Sequence, residues 1–340
     1  IPLFVFGDKN FSHAVLIGEG LAISSLIMCI LFVVVDMGRP DRLWHMIPKL
    51  GYFNWPQSLL AWDVLVLNGY LILNSFILFY LLYNKYNGVK PNKKIYVPLV
   101  FLSILWAIGI HTVTAFLYAG IKAKPFWNSS ILGPRFLASA FTAGPAIIIL
   151  FLSLIDQYAN ARYIAKKSSY FFNVKQEVRD KLALIVTVAA QVNLFLLFCE
   201  IFKEFYSDRH HSLSAKYLFF GLEGYYALVP WIWSSIVLNV IATTVLTFHK
   251  FRRSNKILYA CSFTLFIAIW IEKGLGLIIP GFIPSPMGMI VEYSPTFIEV
   301  GVSIGILAIG LMVFTFLVRL AVPILVGEFT YKNRLEKDKN

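Results

Sequence analysis

An all-α polytopic membrane protein is the fold class this sequence predicts, and three observations predict it. Hydrophobic residues make up 58% of the chain and charged residues 14%, with a mean hydropathy of +0.71, whereas a soluble domain carries about 25% charged residues. Eight apolar runs recur along the chain, each of the roughly 20 residues that a helix needs to cross a bilayer. The polar connections between them carry the basic residues in an uneven pattern that fits membrane orientation.

The runs cover residues 14–35, 59–82, 95–119, 136–155, 182–202, 225–248, 257–279 and 297–326. The first is followed by Gly38 and Pro40, an ordinary helix stop. The second opens on Trp62-Asp63, where an acid in the first turn complements the helix dipole. The fourth follows Gly133-Pro134 and opens on Arg135. The longest polar connection, 156–181, has room for a short amphipathic surface segment. The whole chain reads as a single integral membrane domain of about eight spans in two bundles. Residues 14–119 belong to the first, 136–279 form the second, and 297–326 lie at the periphery.

Charge orients the spans. Twenty of the 30 Lys and Arg residues fall on the side that holds both termini and the 83–94, 156–181 and 249–256 connections, which the positive-inside rule makes cytoplasmic. The other side carries 36–58, 120–135, 203–224 and 280–296. Its aromatics and prolines, among them Trp44, Tyr52, Phe53, Trp55, Phe126, Trp127, Pro280 and Pro284, read either as an aromatic belt or as a shaped docking face. The net charge of +12 does not indicate nucleic acid, because it sits in loops between apolar helices. Cys29, Cys199 and Cys261 lie far apart inside apolar runs, without iron–sulfur or zinc spacing. No P-loop, GxGxxG or HExxH occurs. Only His111 of six histidines is clearly embedded, which argues against a bis-histidine haem.

Ionisable side chains at the edge of an apolar bundle are costly to desolvate and are functional candidates by default. Asp36 to Arg39, Asp63, His111 and Arg135 stand at four span ends that chain direction puts on the outer side. Asp36 and Arg39 either pair to close a helix end or act in chemistry. His111, about two turns inside its span, has an imidazole suited to passing a proton or bonding a carbonyl; the alternative is a histidine satisfied by a neighbouring helix. Arg135 steadies an acid or snorkels. Glu200, Lys203, Glu204, His210, His211, Glu223, Glu272, Lys273, Glu292 and Glu299 mark outer ends of later spans, where each pair reads equally as a salt bridge. Glu19, toward the cytoplasmic side, belongs to a proton path or hydrogen-bonds a facing helix.

The string Asp36-Met37-Gly38-Arg39-Pro40 resembles the D-x-G-R-P motif of the NrfD/polysulfide reductase membrane-subunit superfamily. Six further stretches in order, IHTVTAFLYAG (110–120), GPRFLASAFTAGPA (133–146), FCEIFKEFY (198–206), YLFFGLEG (217–224), WIEKGLGLIIPGFIPSPMG (270–288) and VEYSPTFIEVGVSIGI (291–306), resemble DsrP-type subunits of DsrMKJOP sulfite-reduction-associated complexes, with HmcC-type subunits of Hmc complexes as the rival. The resemblance implies a menaquinone site in the first bundle near the periplasmic face. It also implies electron exchange with a periplasmic ferredoxin-like iron–sulfur subunit, and no haem, metal or iron–sulfur cluster in this chain. It implies the inner membrane, with both termini cytoplasmic, and ten helices in all, the further pair preceding Ile1. His111, Asp63 and Asp36 are then the expected proton-handling residues, Arg39, Arg135 and Trp55 the orienting or quinone-binding ones, and Glu19 the proton-path candidate. A secondary transporter and a non-redox anchor for an iron–sulfur subunit are the competing readings.

Overall fold

A computed structural model describes residues 11–47, 49–165, 167, 170–206, 212–285, 287–331 and 333. His210, His211 and the basic residues Lys9, Lys166, Arg209, Lys332, Arg334, Lys337 and Lys339 lie outside the described residues. Those described are helical, with no strand among them; Leu222 and Tyr225 form one isolated bridge. The helices are α1 (Ser12–Asp36), α2 (Leu59–Tyr86), α3 (Lys93–Ala119), α4 (Leu132–Ala165), α5 (Gln176–Tyr206), α6 (Leu213–Phe220), α7 (Val229–Thr247), α8 (His249–Arg252), α9 (Asn255–Lys273) and α10 (Phe297–Val326). Among the described residues eight spans are long and apolar enough to cross a membrane: α1 to α5, α7, α9 with its continuation to Phe282, and α10. The chain is a multi-pass membrane protein, as its composition predicts.

Local chemistry explains the ends. Ser58 caps α2 by accepting the Ala61 N–H at 3.3 Å. Thr296 and Glu299 close a capping box on α10, and Gly327 ends it at φ 86°, a left-handed conformation that glycine adopts without a Cβ penalty. Several boundaries differ from those read off hydropathy. α4 and α5 outrun their apolar stretches, because polar helix ends continue beyond hydrocarbon. The 156–181 connection is therefore short, and Asn160 pins it through Phe172, donating to its carbonyl at 2.8 Å and accepting its N–H at 3.0 Å. α7 begins at Val229 rather than at 225, because residues 221–225 turn back on themselves through Gly221 and Gly224 at positive φ. α9 widens into a π turn over Gly274–Ile278.

The chain divides into two compact units. The first comprises residues 1–113, 152–178 and 295–340, and the second 114–151 and 179–294, so α3 and α4 each contribute to both. In the first unit α10 packs along α1 and touches α2. A Cβ at Gly310 would overlap the Met28 side chain, so a bare glycine sets how closely α1 and α10 approach, as small residues do between membrane helices. α2 and α3 meet where Trp106 lies over Gly69 and donates its indole N–H to the Val66 carbonyl at 2.9 Å. In the second unit α7 packs on α9, around Ala146, Ala183, Val186, Ala190, Leu246, Leu258 and Leu265.

Several polar residues inside the spans bond back to their own helix. Asn74 donates to the Tyr70 carbonyl, Thr142 to Ala138 and Thr187 to Ala183, each one turn back, at 2.7 to 2.9 Å, the usual solution where water is absent. Because a Cβ at Gly69 would overlap the Trp106 ring, Gly69→Ala is expected to displace the indole, break its bond to Val66 and cost about 1–3 kcal/mol. A thermal unfolding midpoint in detergent equal to that of the parent would show the contact to be dispensable.

Candidate functional site

Of the residues predicted from sequence, Glu19, Asp36, Arg39, Trp55, Asp63 and His111 belong to the first unit. Asp63 is 7% exposed, in the second turn of α2. His111 is half-buried on α3, two turns before its end at Ala119. Asp36 is the last residue of α1 and is exposed. One carboxylate oxygen of Glu19, Oε2, is buried and has no hydrogen-bond partner among the described residues.

Arg39 corrects an expectation. Its guanidinium pairs with Asp41, Nε to Oδ1 at 3.1 Å and a terminal nitrogen to Oδ2 at 3.0 Å, not with Asp36. The two residues stand two apart in a seven-residue 3-10 turn, Pro40–Met46, and its entry, so their side chains meet locally. Hydrogen bonding to Arg39 holds the Asp41 carboxyl below its ordinary value and raises the guanidinium. Both side chains are more than 60% exposed, so the pair adds little stability.

Trp55 follows that turn and is half exposed. Its ring centroid lies 5.1 Å from that of Trp62, whose indole N–H donates to the Pro56 carbonyl at 2.9 Å. Trp55 lines an open groove of about 460 Å³ with Lys49, Gly51, Tyr52, Phe53 and Leu65. The lining is aromatic and apolar with one cation beside it, a surface on which a flat ring stacks and a carbonyl meets a charge.

Arg135 steadies acids rather than snorkelling. It belongs to the second unit, 3% exposed, and its partners there are carboxylates that read from sequence as separate salt bridges. It pairs with Glu200 of α5 and, at 2.7 Å, with Glu272 Oε1 of α9. Lys273 Nζ lies 3.1 Å from that same oxygen as an ion pair without hydrogen-bond alignment, and 5.8 Å from the centre of the Phe136 ring. The other oxygen of Glu272 accepts amide N–H groups from Asn193 at 3.1 Å and Asn239 at 3.3 Å. Four helices, α4, α5, α7 and α9, thus converge on one carboxylate that is 1% exposed. Lys203 and Glu204 pair at 2.9 Å nearby on α5. A void of about 20 Å³, room for roughly one water, is lined by Arg135, Glu200, Glu204 and Glu272 among others.

Sequence reasoning did not single out Asn193 and Asn239. Both sit fully buried inside apolar runs, and an amide there is itself a signal, since it needs a partner in lipid. The meeting of Glu272 with Arg135, Asn193 and Asn239 had no local signal, because these partners are 33 to 137 residues away in sequence.

The connections of the second unit pack into a cap over its helix ends. Trp127 donates its indole N–H to the Leu277 carbonyl at 2.8 Å, and Ser214 its hydroxyl to the Ile283 carbonyl at 2.6 Å. Glu292 Oε1 accepts the Tyr217 hydroxyl at 3.2 Å and the Ala227 N–H at 3.0 Å. Burial, with the Glu292 charge beside it, pushes the Tyr217 phenol up to about 12, so it remains a donor.

A family model described as polysulphide reductase, NrfD, matches residues 2–284. The chain belongs to that family. NrfD proteins are membrane subunits of quinone-interacting oxidoreductase complexes. The chain is similar to a selenate reductase subunit of Mesobacillus selenatarsenatis, 23% identical over 95% of this chain and 80% of the relative. It is also similar to the Hdr-like menaquinol oxidoreductase integral membrane subunit of Archaeoglobus fulgidus, 26% identical over 43% of this chain and 34% of the relative. In this NrfD chain, Arg135→Gln would leave Glu200 and Glu272 buried beside one fewer cation. A loss of about 3–5 kcal/mol is expected, read as a lower unfolding midpoint in detergent, with Arg135→Lys closer to the parent. An unchanged midpoint for Arg135→Gln would mean the network bears no stability.

Proposed function

We propose that this protein is the quinone-reactive membrane subunit of a respiratory complex, exchanging electrons between menaquinol or menaquinone and a periplasmic iron–sulfur subunit. The family match over residues 2–284 carries this reading. The first unit supplies residues of the right chemistry: a half-buried His111, a buried Asp63 and the Trp55 groove. The setting proposed is the inner membrane with both termini of this chain cytoplasmic, and a single membrane domain whose first bundle holds the quinone. The finer likeness of the quoted motifs to DsrP-type subunits supports a link to sulfite or sulfur metabolism and to a DsrMKJOP- or Hmc-like complex.

A quinol gives up two protons with its two electrons. It needs hydrogen-bond partners at two ring oxygens and a route for protons. In the proposed site His111 bonds one quinone oxygen, Asp63 or Asp36 receives a proton, and Trp55 with its aromatic neighbours holds the ring. The electrons pass to the iron–sulfur partner. Arg39, engaged with Asp41, and Arg135, engaged with Glu200 and Glu272, are left out of the orienting set. The buried, unpartnered oxygen of Glu19 supports its role on a proton path from the cytoplasmic side.

Quinol-driven reduction of the iron–sulfur partner by the purified complex tests the site. His111→Ala should slow it by at least about 100-fold, the scale of general acid–base catalysis, with subunit composition intact. A parental rate in that variant would rule out the role of His111, and a complex that copurifies with no quinone would leave only a membrane anchor. Glu19→Gln, reconstituted in liposomes, should turn over normally without building a membrane potential; a normal potential would remove Glu19 from any proton path.

A further inference from the structure

Within the second unit, α4 and α5 leave an open groove between them that the proposed chemistry does not use. Its volume is about 740 Å³, inside the range of roughly 300–1,000 Å³ typical of ligand sites. The lining is apolar throughout and includes Ala138 and Phe141 of α4 and Ile185, Val188, Ala189 and Val192 of α5. Phe141, Val188 and Val192 are 46 to 52% exposed and Ala138 is 7% exposed, so large side chains stand out beside small ones. A group that needs hydrogen bonds finds no partner in such a lining, whereas a hydrocarbon chain fits it.

One end of the groove meets positive charge. Ile185, Val188, Ala189 and Val192 follow one face of α5, and Lys181 opens that face one turn earlier. Lys181 is exposed. Helical side chains lean toward the helix N-terminus, so its ammonium is carried out of the apolar stretch toward water. Beside it, Asp180 lies 3.7 Å from Arg253, which brings the 249–256 connection to the same end of the unit. Residues 176–181 and 249–256 hold six cations, Arg179, Lys181, Lys250, Arg252, Arg253 and Lys256, against two acids, Glu177 and Asp180. Arg252 also donates to the Leu246 carbonyl at 3.3 Å. Glu177 stands four residues before Lys181, a spacing at which an exposed pair is weak. The excess at this end is therefore positive.

A zwitterionic lipid answers the groove but not the charge. Free phosphate answers the charge but not the groove. A lipid with an anionic headgroup answers both, and basic clusters at the ends of membrane helices are where such headgroups bind. We infer that the α4–α5 groove and the basic end at Lys181 form a binding site for an anionic phospholipid. One acyl chain lies along Ile185, Val188, Ala189 and Val192, and the phosphate meets Lys181 and the 249–256 connection.

The test uses the intact complex, isolated through a tag on this subunit and stripped of loosely held lipid. Native mass spectrometry follows binding of cardiolipin and of dioleoyl-phosphatidylcholine, with inorganic phosphate as competitor. Cardiolipin should bind at least tenfold more tightly than phosphatidylcholine and resist millimolar phosphate. Lys181→Gln combined with Lys250→Gln should weaken cardiolipin about tenfold and erase that preference, the scale of two basic residues at a membrane surface. Lys181→Arg should keep it. Ala189→Phe, which fills the groove with the cations in place, should also weaken cardiolipin at least tenfold. In native membranes the photo-cross-linker Val188→p-benzoylphenylalanine should capture phospholipid, a readout that stands even where Ala189→Phe does not fold. Equal binding of the two lipids, displacement of cardiolipin by phosphate, or full binding in Ala189→Phe would overturn the site. So would cross-linking of residue 188 to quinone or to another subunit.

Discussion

Inside a bilayer a polar group has to find its partner within the protein, and Glu272 is where this chain meets that demand most severely. Its two carboxylate oxygens take Arg135 and Lys273 on one side and Asn193 and Asn239 on the other. The charge of an isolated carboxylate would cost many kcal/mol there; four helices brought to one point offset that cost. Any displacement of α4, α5, α7 or α9 leaves a buried charge short of a partner. The packing of α7 on α9 and the fit of the cap above them therefore operate within a narrow tolerance.

The first unit solves the same problem with less charge. Its Asn and Thr side chains bond back to their own helices, and glycines let α1 meet α10 and α2 meet α3 closely. His111, Asp63 and Glu19 stand in this unit among apolar helices. In the proposed function chemistry falls to this unit. The second unit, with its ion network and packed cap, offers a fixed surface. The two arginines expected to serve the chemistry are each held by other acids, Arg39 by an exposed neighbour and Arg135 by buried ones. The physical reason differs: proximity along the chain for the first, and the demand of Glu200 and Glu272 for a cation for the second.

The spans were legible because lipid imposes a simple rule on sequence: about 20 apolar residues and little charge. The extended helix ends were not, since polar residues beyond the hydrocarbon carry no hydropathy signal. Among candidate residues, Asp63, His111 and Glu19 were visible as ionisable groups in apolar runs; Asp63 is buried and the other two half-buried. Asn193 and Asn239 carried the same signal more weakly, as neutral amides. The pairing of Arg39 with Asp41 lay in plain view two residues away, but sequence alone does not choose between Asp36 and Asp41.

By itself the sequence determined that this is a multi-pass helical membrane protein, where most of the spans among the described residues begin and end to within a turn or two, and which side chains are costly to bury. Composition and period are local properties, and the bilayer reads them locally. Only the tertiary structure decided which costly groups meet. Glu272 with Arg135, Asn193 and Asn239, Trp106 against Gly69, and Glu292 beneath the cap are contacts between residues far apart in sequence. Their geometry follows from how helices pack, and no single segment encodes it.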